Sequence, residues 1–141
     1  MEARHLESAL EILKKIHYIT VATVCEDGSP WNSPVSASFD KELTFSWGSS
    51  ADNIHSKNIR RDGRAFVVVY DSTAPEGMGE GLYMTGIAEE LNETDGAITM
   101  YRFTPEQIWI NDEARNEDGT YKHDIRIELD LDELKKSVRE A

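Results

Sequence analysis

The feature that most constrains this fold is a succession of short segments rich in β-branched and aromatic residues. Seven segments favour strands, and they cover residues 18–24, 31–39, 43–47, 64–71, 82–91, 107–111 and 121–129. Glycine, aspartate and serine separate them, as at residues 26–29 and 48–50, and these residue types favour tight turns. Short strands in close succession predict an antiparallel β-barrel.

Helices are predicted around these strands. Residues 3–16 carry apolar side chains at three- and four-residue spacing, and residues 130–140 form a charged helix. Residues 51–61 follow Ser50, which is expected to be an N-cap, and a short helix is predicted over residues 94–102. Pro34 interrupts the second strand, so this strand is expected at an edge or with a bulge at Pro34, because proline cannot donate to a ladder.

Composition limits the classes of partner. The 141 residues, 1–141, are expected to form one domain, and the net charge of −12 argues against binding to nucleic acid or an anionic membrane. No apolar stretch is long enough to cross a bilayer and the N-terminus lacks a signal core, so a cytoplasmic protein is predicted. The single cysteine, Cys25, excludes an internal disulfide.

In so acidic a chain, the placement of basic residues is informative. Lys57, Arg60 and Arg61 lie on the predicted helix 51–61, and Ser49 and Ser50 precede it. Hydroxyl groups beside the positive end of a helix favour an anion such as phosphate. The same pattern has a structural interpretation, because serine also caps helices that bind no ligand.

Residues 18–71 carry a series of motifs in a characteristic order. These are an Ala22-Thr23 strand, the hairpin Asp27-Gly28-Ser29-Pro30, the strand Asn32-Ser33-Pro34-Val35, a strand ending in Ser46-Trp47, and a helix with His55 and Asn58-Ile59. The run resembles the pyridoxamine 5′-phosphate oxidase-like flavin-binding split barrels. The resemblance implies a mainly β (α+β) fold, an antiparallel split β-barrel of six to seven strands with peripheral helices.

The resemblance also implies a cofactor, FMN, held between the two barrels of a homodimer. It assigns the isoalloxazine ring to one strand and the ribityl phosphate to a turn and helix. His55 stands where many relatives have Lys or Arg, and His is also found in the haem-binding branch, so haem and the deazaflavin F420 remain alternatives. The cofactor-binding residues implied are Asn32, Ser33, Pro34, Val35, Ser46, Trp47, Ser49, Ser50, His55, Lys57 and Asn58.

No residue is assigned a catalytic role. The sequence contains no Gly-x-Ser-x-Gly motif and no Cys–His arrangement, so catalysis would belong to the flavin. His5, His17 and His123 lack metal-ligand spacing, so no metal site is predicted and these residues are expected at the surface or at edges.

Three functions stay open from the sequence. The first is an FMN-dependent oxidoreductase that transfers a hydride or electrons between a nicotinamide donor and a small acceptor. The others are a flavin- or haem-binding protein without turnover and an apo structural dimer. Oxidation of vitamin B6 itself is not expected, because the chain lacks a second basic cluster for that phosphorylated substrate.

Overall fold

The structure is a computed structural model that describes residues 2–141. Antiparallel pairing dominates it, and eight strands and three helices are found in those residues. Strands β1 to β8 are Tyr18–Val24, Pro30–Ser36, Ser38–Phe39, Phe45–Ser49, Arg64–Tyr70, Gly81–Asp95, Ile98–Arg115 and Tyr121–Leu129. Helices α1 to α3 are Ala3–Lys15, Ile54–Arg61 and Leu131–Glu140.

The chain directly joins the two ends of the sheet. The strand order is β2-β1-β5-β6-β7-β4-β3, and β8 pairs with β7. Only Ala37 separates β2 from β3 along the chain, so the first and last strands of this path are covalently adjacent. One half of β7 pairs with β4 and the other half with β8. The predicted split β-barrel is confirmed.

The inner face of the sheet forms the core. Alternate residues of each strand point inward, as the period of two along a strand requires. Trp47 of β4 stacks on Tyr101 of β7 with 6.0 Å between ring centroids, and Phe45 packs against Phe103 at 6.4 Å. All four rings are at most 2% exposed. Helices α1 and α3 contribute apolar residues such as Ile12 and Leu134 to the same core.

Several predicted elements are confirmed, and β1 and β8 have the predicted bounds. The second strand is interrupted at Ala37 and not at Pro34, which is why eight strands are found instead of seven. Pro34 lies opposite Thr20 on an edge strand, where its missing N–H costs no ladder bond.

The helix predicted over residues 94–102 is wrong. Gly96 has a φ of 61° in a tight turn that joins β6 to β7. Beyond it, Tyr101 and Phe103 point inward while Arg102 and Thr104 are exposed, the alternation of a strand. Pairing with both β6 and β4 holds this segment extended.

Other boundaries also differ from the predictions, and two of them bear on the site. The strand predicted over residues 43–47 begins at Phe45, because Leu43 lies in the preceding turn with a φ of 58°. The helix predicted over residues 51–61 begins at Ile54, with Asn53 and not Ser50 at the N-cap position. Ser50 instead stabilises a turn, since its Oγ accepts the Asp52 N–H at 3.2 Å.

Candidate functional site

The four residues of β2 predicted to line a cofactor are divided between the two faces of the strand. Asn32 and Pro34 are exposed on the outer face of the sheet. Ser33 lies opposite the core residue Val21, and Val35 is itself in the core at 7% exposure. Only Asn32 and Pro34 therefore present side chains to a ligand on the outer face.

Strand β4 shows the same division. Ser46 is half-buried, whereas Trp47 is 2% exposed and belongs to the core. The Trp47 indole Nε1 is buried and finds no hydrogen-bond partner within residues 2–141. The structure therefore places the Trp47 ring inside the barrel, behind the outer surface on which Asn32 lies.

The turn between β4 and α2 joins two of the predicted phosphate residues. The His55 Nε2 atom lies 3.1 Å from the Ser49 Oγ, and both side chains are buried. Burial lowers the pKa of His55 below its ordinary value of 6.5, so the ring is neutral at pH 7. Ser50 closes the turn, because its carbonyl accepts the Ser56 hydroxyl at 2.8 Å. His55 thus shapes the turn without adding charge to it.

The N-terminus of α2 is electrostatically open. Asn53 at the N-cap position makes no side-chain capping bond, and the first turn contains no acidic residue. Lys57 lies one turn further, is exposed, and has no ion-pair partner in the part of the chain that the structure describes. In contrast, Arg60 is paired with Glu90 at 2.6 Å. The helix end and Lys57 are therefore available to an anion.

Asn58 holds α2 against the hairpin formed by β1 and β2. It is 3% exposed, and its Nδ2 donates to the Thr23 Oγ1 at 3.0 Å and approaches the Cys25 Sγ at 3.5 Å. Thr23 in turn donates to the Trp31 carbonyl at 3.4 Å. Asn58 is therefore a positioning residue that fixes α2 against the end of β1.

Uncharged side chains continue from β2 across the outer face of β1, β5 and β6, and Arg126 of β8 stacks on two of them. Asn32 lies opposite Ala22 of β1, which lies opposite Phe66 of β5. In the same way, Pro34 lies opposite Thr20 of β1. On this outer face, strands β1, β5 and β6 present half-buried side chains, namely Thr20, Ala22, Phe66, Val68, Tyr83 and Thr85. Sequence reasoning did not identify this surface, because it depends on the register of distant strands.

A cleft of about 280 Å³ borders this surface. The Arg126 guanidinium carbon lies 3.9 Å from the centroid of the Tyr83 ring and 5.6 Å from that of Phe66. Tyr70 forms another part of the wall and packs directly on Gly79. A Cβ atom at position 79 would lie only 2.2 Å from the Tyr70 hydroxyl oxygen. The loop that contains Gly77 and Gly79 therefore packs closely on the Tyr70 ring, and a side chain at position 79 would require the ring to move.

The prediction that His5 lies at the surface or an edge is wrong. His5 is 6% exposed, and its Nε2 lies 3.0 Å from the Asp112 Oδ2, which also accepts from Arg4 at 2.9 Å. The hydrogen bond with His5 is the largest cause that lowers the pKa of Asp112 to about 2. This pair fastens α1 to β7. Within residues 2–141, no three His, Cys, Asp or Glu side chains are grouped so that they could hold a metal.

Comparison with known proteins places this arrangement in a family. Residues 6–126 match the family model described as pyridoxamine 5′-phosphate oxidase. The chain belongs to this family. No curated protein matches the chain at a significant level. No helix of residues 2–141 is long and apolar enough to span a membrane.

Solved structures share the fold of this family member at low sequence identity. A Clostridium acetobutylicum protein related to general stress protein 26 of B. subtilis is 17% identical, with a TM-score of 0.70 over 95% of this chain and 99% of that one. HutZ, a haem storage protein from Vibrio cholerae, is 16% identical, with a TM-score of 0.64 over 74% and 93%. A haem-binding protein from Mycobacterium smegmatis is 15% identical, with a TM-score of 0.70 over 93% and 60%.

Proposed function

We propose that this chain is a homodimeric FMN-binding protein that acts as a flavin-dependent oxidoreductase on a small substrate. One observation carries the proposal: the chain combines an uncapped start of α2 and Lys57, which has no ion-pair partner within residues 2–141, with the uncharged side chains Asn32 and Pro34 exposed on β2. A flavin nucleotide has these two parts, a phosphate and a planar ring. Membership of the family over residues 6–126 supports the choice of FMN.

The residues present fit the two parts of FMN. Ser50, Lys57 and the first N–H groups of α2 would hold the phosphate, since the helix end is positive and Lys57 adds the charge that neutral His55 lacks. Asn32 and Pro34, which are exposed on β2, would contact the ring. When bound, FMN would supply hydride or single-electron transfer, and the chain would bind and orient it.

A second copy of the chain is the proposed cover for the outer surface. Exposed aromatic and aliphatic side chains border it, with Tyr18 at 66%, Tyr70 at 45% and Ile87 at 44% exposure. Exposed large apolar groups on one sheet face favour association, because burying them removes apolar area from water. Dimerisation would also shield a flavin ring on Asn32 and Pro34 from solvent.

The proposed electron donor is a nicotinamide nucleotide, and the acceptor is a small molecule. Haem is the second candidate ligand, because two proteins with this fold are described as haem-binding and haem storage proteins. The surroundings of His55 disfavour it as an axial ligand, since its Nε2 already contacts Ser49 and its ring is buried. The deazaflavin F420 would use the same surface and is distinguished by its spectrum.

The test is the visible spectrum of the purified protein, before and after incubation with FMN and removal of unbound ligand. A retained two-band flavin spectrum that NADH or NADPH bleaches without oxygen is expected. Lys57→Gln should weaken FMN binding by about tenfold, which corresponds to about 1.4 kcal/mol. Lys122→Gln, a matched change of an exposed lysine on β8, should leave FMN affinity unchanged.

Other outcomes of this experiment have definite meanings. A Soret band would assign the chain to haem binding, with His55 as the first residue to substitute. A colourless protein that does not retain FMN would refute the flavin proposal. Light scattering provides the separate test of the dimer, and a monomer at micromolar concentration would refute that part of the proposal.

A further inference from the structure

Arg126 of β8 is a cation without an anionic partner in a strongly acidic chain. The chain has a net charge of −12, yet the Arg126 guanidinium makes no ion pair or hydrogen bond within residues 2–141. Its side chain instead reaches across β7 and lies on the rings of Tyr83 and Phe66. Stacking of this kind stabilises a guanidinium and holds its plane in a fixed place.

Three carboxylates stand near Arg126, and within residues 2–141 none of them is paired with its guanidinium. Asp124 accepts the Tyr121 hydroxyl at 3.1 Å. Glu113 is paired with Arg115. Glu128 is exposed and lies opposite Trp109 across the ladder. The five N–H donors of Arg126 therefore remain available, although acidic groups stand two residues away on both sides.

The position of the guanidinium determines which ligand it can accept. A guanidinium that lies on an aromatic ring keeps its N–H edge free, and this edge matches the two oxygens of a carboxylate or phosphate. The adjoining cleft of about 280 Å³ is lined by Tyr70, Tyr83 and Asn111, and the carboxylates Glu113 and Asp124 also border it. Its size suits a small molecule, and its aromatic wall suits a planar one.

We propose that Arg126 is an oxyanion-binding residue that holds the carboxylate or phosphate of a small planar ligand against Tyr83 and Phe66. Phe66 is two strand spacings from Asn32 on the same outer face, which is about 10 Å. A ligand at Arg126 would therefore lie next to a flavin ring on Asn32 and Pro34. This identifies the substrate class as a planar anion, an assignment that rests on the proposed flavin function.

The test uses three probes on the full chain: benzoate, its neutral isostere benzamide, and inorganic phosphate. Binding is measured by calorimetry, with the fluorescence of the nearby Trp109 as a second signal. Benzoate should bind more tightly than benzamide, and Arg126→Gln should weaken benzoate by tenfold or more. Arg64→Gln is the matched control, because Arg64 lies on the same outer face but is paired with Asp62 at 2.8 Å. Its benzoate affinity should equal that of the wild type.

Inorganic phosphate distinguishes the sources of the oxyanion. Tighter binding of benzoate than of phosphate at Arg126 would assign a carboxylate substrate, and the reverse order would assign a phosphorylated one. Arg126→Lys keeps the charge and loses the planar fork, so it should bind benzoate with intermediate affinity. Arg126→Lys also provides a second test of the site if Arg126→Gln does not fold.

Two results would overturn the proposal. One is equal affinity of wild type and both Arg126 variants for benzoate and phosphate. The other is loss of the dimer in Arg126→Gln with unchanged benzoate affinity, which would make Arg126 a contact to the second copy. Titrations with and without FMN separate this inference from the proposed function. Arg126-dependent benzoate binding by a chain that rejects FMN would support the anion site and refute the flavin.

Discussion

Helices α2 and α3 have similar lengths but are held to the barrel in opposite ways. The start of α3 is closed by its own acids, because the Asp130 side chain accepts the Glu133 N–H at 3.0 Å and two acids occupy the first turn. The start of α2 has no capping bond and no acid in its first turn, and its nearest acid is Asp52, just before the N-cap residue. Leu134, fully buried, anchors α3, whereas α2 combines the core residue Ile59 with the buried amide of Asn58, which bonds to Thr23.

This difference separates a structural helix from one built to receive a ligand. The acids of α3 neutralise the helix end, which stabilises the helix and repels any anion. The end of α2 forgoes that stabilisation and keeps its N–H groups available. Polar anchoring also fixes α2 in one orientation, because the hydrogen bond from the Asn58 amide to the Thr23 hydroxyl forms only in a defined geometry.

Truncating Leu134 or Asn58, the residues that anchor α3 and α2, should have the largest effects. The two changes should differ in their effect on FMN affinity. Leu134→Ala should lower the free energy of unfolding by about 2–5 kcal/mol, since it leaves a cavity in the core. Asn58→Ala should cost about 1–3 kcal/mol, because it leaves the Thr23 hydroxyl without its buried donor. Urea unfolding measures both. FMN affinity should fall in Asn58→Ala and stay unchanged in Leu134→Ala; an equal loss in both would contradict the distinction between the helices.

Giving α2 the closed end of α3 should have the next largest effect. Asn53→Asp adds a carboxylate at the N-cap position, which should stabilise the helix by about 0.3–1 kcal/mol. The same carboxylate should weaken FMN binding by about tenfold, or about 1.4 kcal/mol, through repulsion of the phosphate. Fluorescence quenching of FMN measures the affinity. Asp130→Asn on α3 is the control, and a comparable loss of affinity there would remove the assignment of phosphate to α2.

The smallest expected effect concerns pH. The pKa of His55 is lowered below 6.5 by burial, so below about pH 6.5 the unfolded chain takes up a proton that the native ring resists. His55 therefore contributes to a loss of stability as the pH falls through this range. His55→Gln should flatten the dependence of the unfolding free energy between about pH 7 and pH 5. His17→Gln, at an exposed position, should retain the slope; an unchanged slope in His55→Gln would contradict the buried, neutral state.

The barrel could be predicted from the sequence because its signals are local. The alternation in Tyr121–Leu129 and the β-branched run in Tyr18–Val24 give both strands their observed bounds. The helix predicted over residues 94–102 failed where tertiary pairing decides the conformation. Gly96 forms the turn of a long hairpin.

The candidate site was predicted only in part, because its components come together through long-range register. The motifs identify β2 and α2, yet they do not reveal that Val35 and Trp47 point inward. The contact of Arg126 with Phe66 spans four strands of the sheet, and no local pattern indicates it. The open start of α2 could be inferred only loosely, since Ser50 has the residue type of a cap but stabilises a preceding turn.

The packing of Tyr70 on Gly79 has a consequence for how this sequence can change over evolution. A side chain at position 79 would collide with the Tyr70 ring in its present orientation, so it would require that exposed ring to turn aside or a smaller residue at position 70. Changes at the two positions are therefore coupled. Because Tyr70 lines the cleft beside Arg126, a change in the loop would also reshape the cleft.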